Sequence, residues 1–210
     1  YWNQCYKISN GFIRNGHNVY NFSERDVSRS DLLNKFNSNS KLQVAILDTV
    51  KQYNPDLVIL GHADRINHET IEKIRLTNNK IKIIEWNVDN FYLDNTKDKL
   101  SSRSQYLDGI FTTTADEITS ECIKNNFITF FPNIVDASIE NLKIFEETDH
   151  DNDLFFAISH GVGTGKLRIK NSKNEKNDPR VIFANNILDS RKLKCNFFGF
   201  NNVQPVWASE

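Results

Sequence analysis

Methionine is absent from the 210 residues, which open on Tyr1, and that absence sets a first expectation: the chain is an excerpt of a longer one. Cysteine is scarce. Cys5, Cys122 and Cys195 are odd in number, widely scattered and without a CxxC, which argues against a disulfide framework or a zinc cage and fits a reducing compartment. Net charge is almost absent too. With 26 basic side chains against 27 acidic ones, leaving −1, no field over the whole chain draws it to nucleic acid; any basic site has to be local. Peripheral membrane association stays open. The residues contain no apolar run of about 18 and no basic-then-apolar leader, so no span or signal peptide is expected in them and the expected compartment is cytoplasmic. A GxSxG is missing, which removes the nucleophile elbow of an α/β-hydrolase, and no His/Asp/Glu cluster has metal-ligand spacing. His17, His68 and His150 sit on polar stretches and read as surface residues.

What is there is an alternation. Asn3 to Asn15 carries Ile8, Phe12 and Ile13 at helical spacing and ends at Asn15-Gly16, suited to a left-handed helix cap. His17 to Phe22 reads as a short extended segment and Ser23 to Asp26 as a polar turn. Amphipathic stretches follow at Asp31 to Phe36 and Lys41 to Tyr53, with Leu42, Ala45, Ile46 and Val50 on one face. Asp56 to Leu60 is a continuous apolar run closed by Gly61, the pattern of a strand buried on both faces in a parallel sheet. Strands then recur at Ile81 to Trp86, Gly109 to Thr113 and Phe127 to Phe131, with helices around Asn67 to Thr77, Lys97 to Tyr106 and Ala115 to Asn125. These repeats predict an α/β, Rossmann-like first domain over 1–135, a parallel sheet with helices on both sides. Residues 136–153 turn charged and read as an interdomain connection. A second αβ series over 154–210 has strands at Leu154 to Ile158 and Lys194 to Phe198 and a helix at Pro179 to Ser190, then stops, so the second domain reads as truncated.

Three loops carry candidate chemistry. In an open α/β sheet, ligands bind beyond the carboxyl ends of strands, which selects the loops after the first two strands. In the first, His62 and Asp64 could act as general base toward an incoming hydroxyl; equally, Asp64 or Asn67 could be the N-cap of the next helix. In the second, Trp86, Asn87, Asp89 and Asn90 combine an aromatic face with amide and carboxylate groups, the set that a sugar or polyol site uses, or else core packing and an Asn/Asp turn. The third is His160-Gly161-Val162-Gly163-Thr164-Gly165-Lys166-Leu167-Arg168, directly after an apolar strand. Its backbone amides with Lys166 and Arg168 suit a diphosphate. It is not a P-loop, which would need Gly at His160 and a hydroxyl at Leu167.

The layout resembles bacterial glycosyltransferases of the GT-B architecture, in the group similar to spore-maturation proteins known as group 1 glycosyltransferases. The resemblance is carried by Asn10-Gly11-Phe12 through Gly16-His17-Asn18-Val19, by Asn54-Pro55-Asp56-Leu57-Val58 and by Trp86-Asn87-Val88-Asp89. In the second half it is carried by Ile158-Ser159-His160-Gly161-Val162 with Gly165-Lys166, and by Phe198-Gly199-Phe200 through Gln204-Pro205-Val206-Trp207. It implies two facing Rossmann-like domains and sugar transfer from a nucleotide-activated donor, without metal or other cofactor. It places the donor diphosphate at His160, Gly161, Val162, Gly163, Gly165, Lys166 and Arg168, the acceptor at Trp86, Asn87 and Asn90, and a base, if the reaction inverts, at His62, Asp64 or Asp89. Members continue past Trp207 with further αβ units, so little activity is expected of these 210 residues alone. A half-built second sheet would also leave an edge for self-association after Phe198. The alternative is a non-catalytic α/β module that binds a ligand or partner, either a degenerate transferase or a receiver-like domain.

Overall fold

The computed structural model describes residues 4–30, 40–61, 63–123, 127–143, 146–149, 152–158, 179–190, 193 and 195–199. The chain divides into two compact units, Tyr1–Asn141 and Leu142–Glu210. In the first, helices α1 (Gln4–Arg14), α2 (Glu24–Ser30) and α3 (Ser40–Tyr53) precede β1 (Leu57–Gly61). Then α4 (His68–Thr77), β2 (Lys82–Asn87), α5 (Asp94–Ser104), β3 (Gly109–Thr112), α6 (Ile118–Cys122) and β4 (Phe127–Phe130) alternate. The four strands form one parallel sheet in the order β1-β2-β3-β4. The expected α/β class with a parallel sheet is therefore present. Among the described residues no helix is long and apolar enough to cross a membrane.

Strand alternation decides which residues are core. It sends Ile83, Glu85 and Asn87 to one face of β2 and Ile84 and Trp86 to the other. On the first face Ile83 and Ile110 pack with Ile46 and Val50 of α3, Ile71 and Ile74 of α4 and Leu100 of α5. Ile71, Ile74, Ile83 and Ile110 are fully buried; each such side chain contributes roughly 1.5–3 kcal/mol by leaving water. On the second face α1 closes over the end of β1: a Cβ added to Gly61 would lie 2.6 Å from Cys5 Sγ.

Helix ends follow the local chemistry. Gly16, at φ +84°, turns the chain after α1; its N–H donates to Ile13 O at 3.0 Å and that of His17 to Phe12 O at 3.1 Å, a Schellman ending. Two local expectations are corrected. Residues 17–22 form no strand, and Ser23 to Asp26 is the start of α2 instead of a free turn. Ser23 Oγ accepts from Asp26 N at 3.3 Å, a hydroxyl cap that propensity alone did not separate from a turn.

The segment read as an interdomain connection begins inside the first unit. Asp136, 3% exposed, accepts from Asn10 Nδ2 at 2.9 Å and Arg14 Nη2 at 2.8 Å, while Lys7 pairs with Glu140. These bonds give α1 a polar inner face, with Lys7 and Ser9 buried and Ile13 exposed, where an apolar stripe was expected. In the second unit, β5 (Leu154–Ile158) and β6 (Cys195–Gly199) pair in parallel, with α7 (Pro179–Ser190) between them in sequence. Proline at its first position suits a helix start, since that N–H has no intrahelical acceptor.

Two outcomes follow. Gly61→Ala should lower unfolding free energy by about 1–3 kcal/mol through the clash with Cys5, and adding Cys5→Ala should restore most of it in a denaturant titration. Bonds from Asn10, Arg14 and Ser138 hold the Asp136 carboxyl well below its ordinary 3.8. Its contribution is thus complete above that value and is lost as pH falls through the lower, folded one. Asp136→Asn should flatten the pH dependence of the urea midpoint below about pH 4.

Candidate functional site

A cleft of about 730 Å³ opens where β1 and β2 end. Its walls include Asp64, Asn67, His68, Asp89, Lys99 and Arg103, drawn from the two post-strand loops and from α4 and α5.

The first loop is clamped by residues far away in sequence. Gln43 of α3 donates from Nε2 to Arg65 O at 2.6 Å and accepts from Asn67 N at 3.2 Å, while Glu24 of α2 accepts from Arg65 N at 3.2 Å. Burial pushes the Glu24 carboxyl up, and nearby Asp64 adds to that. Asn67 is the α4 cap, its Oδ1 accepting from Thr70 N at 2.8 Å. Asp64 is left for another partner, Lys99.

The second loop is built on an Asn turn. Asn87, 4% exposed, donates from Nδ2 to Asp89 O at 2.9 Å and accepts from Asp89 N at 3.3 Å, so its amide shapes the backbone that carries Asp89. Asn90 accepts from Tyr92 N at 2.9 Å, and Phe91, fully buried, anchors the turn in the core. The exposed Tyr92 hydroxyl donates to Asp116, a bond that holds the phenol proton and raises its pKa.

Under the cleft lies a charge network. Glu85 and Arg103 face each other almost wholly buried, Nε to Oε2 at 3.2 Å, and Arg103 Nη1 donates to Ala63 O at 3.1 Å. Lys99, one helical turn before Arg103, lies 3.9 Å from Glu85 Oε1 and pairs with Asp64 above. His68 stacks its ring 5.2 Å from that of Tyr106, and burial, aided by the Arg103 charge, lowers its pKa from 6.5.

The predicted residues divide into three groups. Asp64 and Asp89 come together in the cleft. Trp86, expected as a stacking face, is a correction: it is 3% exposed, on the side of β2 opposite Glu85, and presents no ring to the cleft. Of the two amides expected to hold an acceptor, Asn87 uses both ends on the turn, whereas Asn90 uses only its Oδ1 there. His62 and the glycine loop, His160, Gly161, Val162, Gly163, Gly165, Lys166 and Arg168, lie outside the described residues. His68, read as a surface residue, is half-buried in the cleft wall. Glu85, Lys99 and Arg103 were missed. Their one signal was a glutamate between Ile84 and Trp86 in a largely apolar strand and two cations four residues apart on the next helix.

Family models and curated proteins yielded no match to this chain. Geometry therefore carries the functional reading. Among the described residues no group of three or more His, Cys, Asp or Glu is placed to hold a metal. The cleft offers carboxylates as acceptors and amide, ammonium and guanidinium groups as donors, a mixture that suits hydroxyl groups better than any single charge.

The His68 environment is directly testable. Its ring should titrate below pH 6.5 when followed by proton NMR, and stability should fall as pH drops below that value, because the unfolded histidine takes a proton that the folded one refuses. A midpoint at or above 6.5 would mean that the ring is solvated and outside the field of Arg103.

Proposed function

We propose that the protein transfers a sugar from a nucleotide-activated donor to a hydroxyl acceptor bound in the cleft between the ends of β1 and β2, as a GT-B-type glycosyltransferase. The observation that carries this reading is the meeting of Asp64 and Asp89, from loops 25 residues apart in sequence, in one polar cleft at the carboxyl ends of parallel strands. That is where open α/β sheets bind their ligands. The parallel pair β5 and β6 in a second unit agrees with two Rossmann-like halves.

The two carboxylates take different roles. Asp64 is paired with Lys99 and orients the acceptor. Asp89 has no ion-pair partner among the described residues, stands at the exposed rim and takes the acceptor proton. As the acceptor oxygen bonds to the anomeric carbon, the bond from that carbon to the diphosphate oxygen breaks. The charge left on the diphosphate falls to the glycine loop with Lys166 and Arg168, without a metal.

Calorimetry with UDP-, GDP- and ADP-linked sugars, and with ATP and Mg²⁺, tests the donor class. One nucleotide-sugar should bind and be turned over. Asp89→Asn should cut kcat by about 10²–10⁴-fold with donor Kd unchanged. Binding of ATP with Mg²⁺ alone overturns the reading, binding of no nucleotide makes the cleft that of a non-catalytic module, and an undiminished kcat removes Asp89 as base.

A further inference from the structure

Arg103 is 2% exposed and lines the cleft. Its Nη1 is spent on Ala63 O and its Nε faces Glu85, but its Nη2 has no hydrogen-bond acceptor among the described residues. Nη2 is itself closed to solvent; a buried guanidinium nitrogen without an acceptor is costly, and a small shift of the side chain toward an oxygen held in the cleft would relieve it. The charge of Arg103 is already answered by Glu85. Around it the cleft carries three carboxylates, Asp64, Glu69 and Asp89, against Lys99 and Arg103, and Lys73 pairs with Glu69 at 2.6 Å; Glu85 beneath then leaves one negative charge in excess. An anionic group would meet that excess, whereas a hydroxyl both accepts from Arg103 and donates to a carboxylate.

We propose that Arg103 is a ligand-binding residue and that the cleft takes a hydroxylated ligand, a sugar without an anionic substituent, one oxygen of which accepts from Arg103 Nη2. The inference rests on the cleft being the acceptor site of the transferase read above and names the class of that acceptor. In it Glu85 is a positioning and charge-setting residue: it touches Arg103, not the ligand.

The test is calorimetry and saturation-transfer NMR of the full chain with glucose, glucuronate and glucose 6-phosphate. Glucose should bind, and the two anionic sugars about tenfold or more weaker. Glu85→Gln, nearly isosteric, leaves the Arg103 charge unanswered and should shift the ratio of glucuronate to glucose affinity about tenfold toward glucuronate. Should that variant fold poorly, the guanidinium proton signals of Arg103 in the unaltered chain replace it: they should exchange more slowly with water when glucose is added. Tighter binding of either anionic sugar, a Glu85→Gln variant blind to glucuronate, or Arg103 protons indifferent to glucose would each overturn the inference. Transfer onto a sugar acid or phosphate with no glucose binding would end this inference and keep the transferase; glucose binding without transfer from any nucleotide-sugar would do the reverse.

Discussion

A glutamate set into the covered face of a parallel strand is the constraint around which the cleft is organised. Glu85 sits on the face of β2 that Ile83 buries under α4 and α5, where an unanswered charge would be prohibitive. Arg103 answers it from α5, and removing either partner of such a pair costs roughly 3–5 kcal/mol. The consequences spread outward. To reach Glu85, Arg103 also grips Ala63 O and so fixes the loop after β1, while Lys99, a turn earlier, draws in Asp64. Two loops and two helices are registered against each other by one buried pair.

The opposite end of β2 is held in a matching way. Asp108, just before β3, accepts from Ile83 N at 2.8 Å, and its own N–H donates to Ile83 O at 2.7 Å. Burial pushes its carboxyl up, but Arg75 of α4, the Ile83 amide and Lys82 outweigh this and bring it to about 2. β2 is thus tied to α4 at its start and to α5 near its end, both times by a carboxylate paired with an arginine. The apolar core supplies cohesion; the two acid–arginine pairs supply register. A strand pinned at both ends presents its last residue, Asn87, in a fixed place, and the turn carrying Asp89 inherits that rigidity.

The elements that could be read in advance are those whose cause is local. Apolar runs closed by Gly61 or begun at Gly109 announce buried strands, Asn15-Gly16 announces a helix end, and Asn67 caps α4 as one of the two residues considered. Legibility fails where the deciding partner is distant in sequence. Glu85 and Arg103 are 18 positions apart, Gln43 reaches residues more than 20 positions on, and Asp136 closes on α1 across more than 120. Trp86 failed for a subtler reason. An aromatic ring next to Asn and Asp has the composition of a sugar site, but alternation along β2 turns it away from the cleft, and composition carries no direction.

Strand order has a consequence for how the chain is made. Because the sheet runs β1-β2-β3-β4, each strand pairs with its immediate predecessor in the sequence, 25 residues back for β2 and β3 and 18 for β4. Closing loops of that size costs little, and no strand waits for a distant one to arrive. Emerging from a ribosome at about 5–20 residues per second, each helix and strand can dock on an edge already built, and Arg103 follows Glu85 out of the tunnel within a few seconds. The buried glutamate is therefore unpaired only briefly. The strand order permits assembly from β1 toward β4, each strand meeting the one before it.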